Sequence, residues 1–458
     1  MSQNQTLTEA RRFSTGWKLL FSCGDLAVSV PSAIFMFFQL YFMTDVAGLR
    51  PDYAAWAIGV GRVWDAINDP WFGIIIDRIR SPFDRRRLVL LYGAVPLGAS
   101  FALLWVVPPF SQLGLAVYYC LVYIIFNSAF TFVCTGFYAI VPELTSDYEE
   151  RISINGYLMA YSIAGSLGAI IVVTVISWYV TNPVALFTAM GVGLGALIIL
   201  PPLLAVRLTR GILKETSPEV LSFGAAIRAT LSNRPFRHVI GLYALSWTTA
   251  AVIAADLVYF ANYYLKVPEQ ANYFVLVAQG AALLFVPLWV WLSKRMDKGP
   301  VFIIGCFSWL VILLAISGLA PDQIALAYVL AVLSGAGIAN AYVLPWSMIP
   351  DVVDYDQLKT GQRREGSYYA FAAFFQKMAT GAAIWLMGQA LALAHYITPT
   401  DANPVPVQPE QAVQAIRLFM GPVPALLLIL SILFAWRYPI TREKLRQMSE
   451  QLAAAKKS

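Results

Sequence analysis

The sequence predicts an all-α membrane protein with twelve transmembrane helices in two pseudo-symmetric six-helix bundles, and composition, apolar runs and an internal repeat carry that prediction. Of 458 residues, 59% are hydrophobic and 13% charged, a charged share about half that of a soluble domain. Leu97 to Val107, Ile170 to Val180 and Ala425 to Phe434 contain no charge. With their flanks, such runs reach the roughly 20 residues a helix needs to cross hydrocarbon.

Apolar runs bounded by charge, Pro and Gly place helices over 17–44, 52–77, 88–107, 113–142, 152–180, 184–206, 237–265, 270–293, 301–320, 324–350, 366–396 and 411–436. Twelve spans put both termini on one side. That side holds 27 of the 32 Lys and Arg; Arg50, Lys266 and Arg417 lie opposite, and Arg62 and Lys377 fall within spans. By the positive-inside rule it is cytoplasmic, which predicts a multi-pass cell (inner) membrane protein. The net charge of +6 is then a matter of topology and contact with membrane lipids, not of nucleic-acid binding.

The repeat sets the domain organisation. Tyr138-Ala-Ile-Val-Pro142-Glu143 echoes Trp346-Ser-Met-Ile-Pro350-Asp351, each followed by an acidic loop with a tyrosine, Asp147-Tyr148 and Asp354-Tyr355. The predicted division is a six-helix bundle at 1–206, a cytoplasmic connection at 207–236, a second bundle at 237–436 and a tail at 437–458. Duplicated halves enclosing a midplane site are a common architecture of alternating-access transporters.

Cys23, Cys120, Cys134 and Cys306 sit in apolar segments at unrelated spacings, so no disulfide framework or zinc site is expected. His238 and His395 are the only histidines, which removes most His-based chemistry. Met1 to Thr15 is polar and lacks the apolar core of a cleaved leader.

A charge at the bilayer centre costs about 2.5–3.5 kcal/mol on insertion scales, so intramembrane ionisable groups need a partner or a function. The candidates are Asp25, Arg62, Asp65, Asp69, Asp256 and Lys377. Asp65, Asn68 and Asp69 stand at i, i+3 and i+4, placing three oxygen-bearing side chains on one helical face. Two carboxylates so close repel unless a cation lies between them or one holds a proton. The face therefore reads as a site for Na⁺, Li⁺ or H⁺; alternatively Asp65 pairs with Arg62, and Asp69 caps a helix broken at Pro70.

Asp25 and Lys377, one from each half, could grip hydroxyls or a zwitterionic head, or could pair with each other. Tyr138, Tyr157, Tyr161, Tyr342, Trp346, Tyr368 and Tyr369 are candidates to stack on a solute or to pack helices. Tyr138 and Trp346 lie beside the repeated prolines. Asp77, Arg78 and the basic residues at 85–87 face Glu149, Glu150 and Arg151 across cytoplasmic loops, as an inner gate of ion pairs or as topology signals.

Together these stretches resemble the glycoside-pentoside-hexuronide:cation symporters of the major facilitator superfamily. The matching segments are Thr44-Asp-Val-Ala-Gly-Leu49, Arg62-Val-Trp-Asp-Ala-Ile-Asn-Asp-Pro70, Leu344-Pro-Trp-Ser-Met-Ile-Pro-Asp351 and Phe375-Gln-Lys377. The resemblance implies a coupling-cation site of Asp65, Asn68, Asp69 and Thr131, a sugar contact at Asp25, and Lys377 near both. Where the melibiose-type pattern has a second aspartate, a tryptophan, an arginine and a lysine, this chain has Cys134, Tyr138, Leu158 and Gly24. Sodium-dependent lysophospholipid symporters of the same branch look similar at these motifs.

The expectation is a cation-coupled glycoside symporter, acting as a monomer without a cofactor other than its coupling ion. Its solute would meet Asp25, Cys134, Tyr138, Tyr161, Trp346 and Lys377. A lysophospholipid symporter is the alternative. An intramembrane hydrolase using Asp65 and Asp69 has no second-helix carboxylate or histidine to share the work, and a channel would not need duplicated halves.

Overall fold

The computed structural model describes residues 12–78, 85–145, 147–211, 230–361, 364–400, 403 and 406–455. Among them the regular structure is helical. In chain order the helices are α1 (Thr15–Ser22), α2 (Leu26–Tyr41), α3 (Pro51–Arg78), α4 (Arg85–Leu103), α5 (Gln112–Leu144), α6 (Tyr148–Tyr179), α7 (Pro183–Leu208) and α8 (Arg234–Tyr259), followed by α9 (Ala271–Ser293), α10 (Lys298–Ser317), α11 (Ile324–Thr360), α12 (Glu365–Leu393), α13 (Glu410–Met420), α14 (Pro422–Trp436) and α15 (Arg442–Ala455).

Local chemistry sets several starts. Ser111, Asn182 and Asn233 each accept a bond from a backbone N–H three residues on, and Pro183 and Pro235 occupy first turns. Eleven helical segments among the described residues are long and apolar enough to cross a membrane. The remaining predicted span, α3, has 28 residues, but Arg62, Asp65 and Asp69 lie in its middle.

Three elements differ from expectation. The first span is not one α-helix: a 3₁₀ turn at Cys23–Asp25 divides α1 from α2, and a π turn at Phe42–Val46 ends it. Helix α11 continues ten residues beyond Pro350, so Asp354 and Tyr355 lie on a helix and not in a loop. The last span breaks between α13 and α14 at Gly421, where the Ser317 side chain occupies the space a Cβ would need.

The chain forms two compact units, Met1–Phe35 with Ile67–Glu219, and Met36–Ala66 with Val220–Ser458; α3 contributes to both. In the first unit, α4 and α7 meet backbone to backbone: a Cβ at Gly195 would lie 2.7 Å from the Gly98 carbonyl oxygen. Small residues permit this approach, the usual basis of helix association in lipid. Phe35, Phe101, Trp105, Phe126 and Phe187 fill the adjoining core with ring contacts of 4.8–6.1 Å. Gly98→Leu is expected to destabilise by about 1–3 kcal/mol through overpacking, read as a lowered Tm in detergent. In the second unit, Gly335 and Gly337 bring α11 against Ala281 of α9 and Trp309 of α10 in the same way.

The repeated proline motifs make corresponding ion pairs. Glu143, after Pro142, pairs with Arg86 in the first turn of α4 at 2.7 Å. Asp351, after Pro350, pairs with Lys298 at the start of α10, also at 2.7 Å. Each unit thus ties an acid near a proline to a base on the neighbouring helix.

Candidate functional site: paired acids on α3 and a buried aspartate at a helix break

Asp65, Asn68 and Asp69 lie on one continuous helix, and different neighbours hold them. In the first unit, the Thr131 hydroxyl of α5 is 3.0 Å from Asn68 Oδ1 and 2.8 Å from Asp69 Oδ1. A hydroxyl has one proton and can satisfy only one of these acceptors at a time. Three oxygens thus converge on one point. Asn68 is 1% and Thr131 3% exposed, and the Asn68 amide nitrogen is buried with no partner. Oxygen donors around one carboxylate suit a hard monovalent cation. The described residues contain no cluster of three or more His, Cys, Asp or Glu able to hold a metal ion, so the neutral oxygens of Thr131 and Asn68 would be needed.

In the second unit, Asp65 is 3% exposed and accepts a bond from Lys377 Nζ of α12 at 3.1 Å. The sequence left open whether Lys377 faced Asp25 or the cation face; the ammonium is on Asp65. Gly381, one turn on from Lys377, packs against the Arg62 side chain, where a Cβ would lie 2.8 Å away. Close packing of α12 on α3 therefore sets the register that brings Lys377 to Asp65.

Asp25 sits in the 3₁₀ turn that interrupts the first span, 2% exposed. Tyr138 of α5 donates to its Oδ1 at 2.6 Å, while Oδ2 is buried with no partner. Phe137 accounts for the glycine at position 24. Its ring fills the space where a side chain at position 24 would project, so only glycine fits. The lysine of the melibiose-type pattern is not merely missing here, since its volume is occupied.

Cys134 lies one helical turn before Tyr138 and is half-buried, as is Tyr161 on α6. In the second unit, Trp346 stacks on Tyr369 at 5.4 Å and meets Tyr243 edge-on at 5.7 Å. Trp346 is 37% and Tyr138 42% exposed, leaving both available to a solute.

Of the gate residues, Glu150 and Arg151 have described partners. Glu150 accepts from Lys18 Nζ and from the Phe13 amide, both at 2.8 Å, while Arg151 donates to the Thr145 carbonyl at 2.7 Å. These bonds fasten the start of the first span to the start of α6. The side chains of Asp77 and Arg78, and residues 79–84, lie outside the described residues.

Sequence reasoning did not single out Asp45, known only from the Thr44–Leu49 stretch, or the tyrosines that surround it. Tyr263 and Tyr396 both donate to its carboxylate, and Thr44 bonds Tyr259. No spacing rule links positions so far apart.

Comparisons place this geometry. Residues 20–442 match the MFS/sugar transport protein family. An uncharacterized symporter of Synechocystis sp. is 31% identical, with 99% of both chains covered. Sodium-dependent lysophosphatidylcholine symporter 1 of Xenopus tropicalis is 26% identical over 100% of this chain and 93% of its own. YagG of Escherichia coli, described as a glycoside/cation symporter, is 27% identical over 95% and 94%. Among solved structures, a D-xylose-proton symporter (TM-score 0.62, 14% identity, 93% and 96% covered) and the nucleoside transporter NupG (0.65, 13%, 93% and 100%) share the fold. With the family match spanning nearly its whole length, the chain belongs to the MFS/sugar transport protein family: a multi-pass membrane symporter of the major facilitator fold, and not an enzyme.

Proposed function

We propose that the chain is a cation-coupled symporter that carries a glycoside by alternating access, with Na⁺ as coupling ion. The observation that carries this reading is the convergence of the Thr131, Asn68 and Asp69 oxygens beside an acid, Asp65, that already holds an ammonium. A cation among these oxygens would face Asp69, while Lys377 holds Asp65. The unpartnered Asp25 Oδ2, beside the Tyr138 hydroxyl, offers an acceptor to a sugar hydroxyl. Both termini face the cytoplasm of an inner membrane, and the monomer is the working unit.

Binding is reciprocal: a cation that tightens the solute must itself be tightened by the solute to the same factor. Sodium rather than a proton is supported by the relatives named sodium-dependent.

A lysophospholipid is the second reading. Those relatives favour it, as does an apolar cavity in the second unit, lined by Ile253, Leu257, Phe260, Phe274, Ile338 and Met420.

Uptake of a glycoside panel and of lysophosphatidylcholine into proteoliposomes, each with and without an inward Na⁺ gradient, tests both. Gradient-driven accumulation of a glycoside, lost in Asp25→Asn, is the expected result. Accumulation of the lysolipid alone would replace the first reading with the second, and uptake indifferent to Na⁺ would reject sodium coupling.

A further inference from the structure

The first and the seventh spans end in the same unusual way. Phe42–Val46 and Phe260–Tyr264 are both π turns, with the wide bonds Ala47 N–H to Phe42 O at 2.8 Å and Leu265 N–H to Phe260 O at 2.9 Å. After each turn one residue adopts a left-handed conformation, Gly48 at φ +66° and Lys266 at φ +58°. Every one of these positions is matched by its counterpart 218 residues later. In residue identity only Tyr41-Phe42 and Tyr259-Phe260 agree across these turns, and a glycine is matched by a lysine. Such π turns recur at functional sites.

The contacts between these ends, all within the second unit, are reciprocal under the same offset. Thr44 meets the Tyr259 hydroxyl at 2.6 Å, and Asn262, the counterpart of Thr44, meets the hydroxyl of Tyr41, the counterpart of Tyr259, at 3.3 Å. Tyr41 and Tyr259 also contact each other, ring to ring, at 5.7 Å. Asp45 accepts from its own counterpart, Tyr263. Contacts in which i touches j and the mate of i touches the mate of j define an isologous, two-fold interface, here formed within one chain.

The two-fold is broken at Asp45, and usefully. Two aspartates at the self-paired position would repel, whereas Asp45 opposite Tyr263 joins an acceptor to a donor. Tyr396, beyond α12, adds bonds of 2.8 and 2.9 Å to the two Asp45 oxygens, and Thr44 adds one of 2.6 Å. Tyr259, Tyr263 and Tyr396 are buried.

From this geometry we infer that Asp45 and its hydroxyl donors form a lock at the membrane face away from the N-terminus, closed in this conformation and broken whenever that face opens to admit or release solute. The chemistry suits a reversible device. A carboxylate held by three neutral hydroxyls is bound by charge-assisted hydrogen bonds, yet no cation has to be stripped of water each time the lock re-forms. Water can replace every donor once the face opens. Opening separates helix ends that belong to different sequence repeats, so the reciprocal bonds break together. The lock does not depend on which solute or cation is carried.

The test is double electron–electron resonance on the full chain in lipid nanodiscs. Native cysteines are replaced, and spin labels are placed at Arg50→Cys and Glu269→Cys, exposed positions beside the two turns. In the parent one short distance dominates. Asp45→Ala is expected to raise the longer-distance population about tenfold, the effect of losing a charge-assisted bond. Tyr396→Phe, which deletes a single hydroxyl, shifts it the same way by less, and decides the matter if Asp45→Ala does not fold. Unchanged distributions in the folded variants would overturn the assignment, whatever transport assays show.

Discussion

Asp69→Asn is expected to lower cation affinity by between ten- and a hundredfold and to abolish gradient-driven accumulation, while the protein stays folded. The asparagine keeps an oxygen for the Thr131 hydroxyl, which lies 2.8 Å from Asp69 Oδ1, so packing of α3 on α5 survives. What is lost is the negative charge, and a hydrogen bond or ligand contact to a charged group contributes about 1.5–3 kcal/mol. Solute exchange without a gradient should persist at high solute concentration, since the proposed solute contact at Asp25 is untouched. Na⁺-stimulated uptake and Na⁺-dependent solute binding, measured on the same preparation, separate these effects. Full accumulation by the variant would remove Asp69 from the coupling site.

Lys377→Met should act on stability first. Asp65 is 3% exposed and takes its ammonium from Lys377 at 3.1 Å. Removing one partner of a buried ion pair costs on the order of 3 kcal/mol, because the other charge stays behind in a low dielectric. Adding Asp65→Asn removes that stranded charge, and most of the Tm should return. Coupling should not return with it, since the double variant lacks both charges that the cation senses. If the single variant melts with the parent, the pair contributes nothing to the fold. If the double variant melts as low as the single one, Lys377 acts by packing and not by charge.

The spans were legible because hydropathy is a sum over single residues, independent of what they touch. The chain read as twelve helices even where α3 carries charge, since its run is bounded by charge, Pro and Gly like the others. Pro350 misled as a terminator: α11 runs on to Thr360, and the acids past the proline are helical because Asp351 and Asp356 find Lys298 and Arg364. A proline costs one backbone bond, and paired side chains offset it. The three oxygens on α3 were visible as an i, i+3, i+4 pattern. Thr131 entered only through family resemblance, and nothing in its own surroundings along the chain marks it.

The internal repeat shows the same division. Its proline motifs are readable from letters, whereas at the matched π turns only Tyr41-Phe42 and Tyr259-Phe260 agree, and backbone geometry is shared where the remaining side chains differ. The choice of Gly24 likewise looks arbitrary until the Phe137 ring is seen in its place.

By itself, then, the sequence determined the medium, the number of spans, the duplication and the face of α3 that carries its acids, all of which follow from residue type and spacing along one chain. Tertiary structure alone decided the partners: Lys377 on Asp65, Tyr138 on Asp25, Lys18 on Glu150, and the hydroxyls on Asp45. The reason is that charge and hydrogen-bond partners are chosen within about 3 Å, among many residues of equal chemistry, and only packing determines which of them arrive.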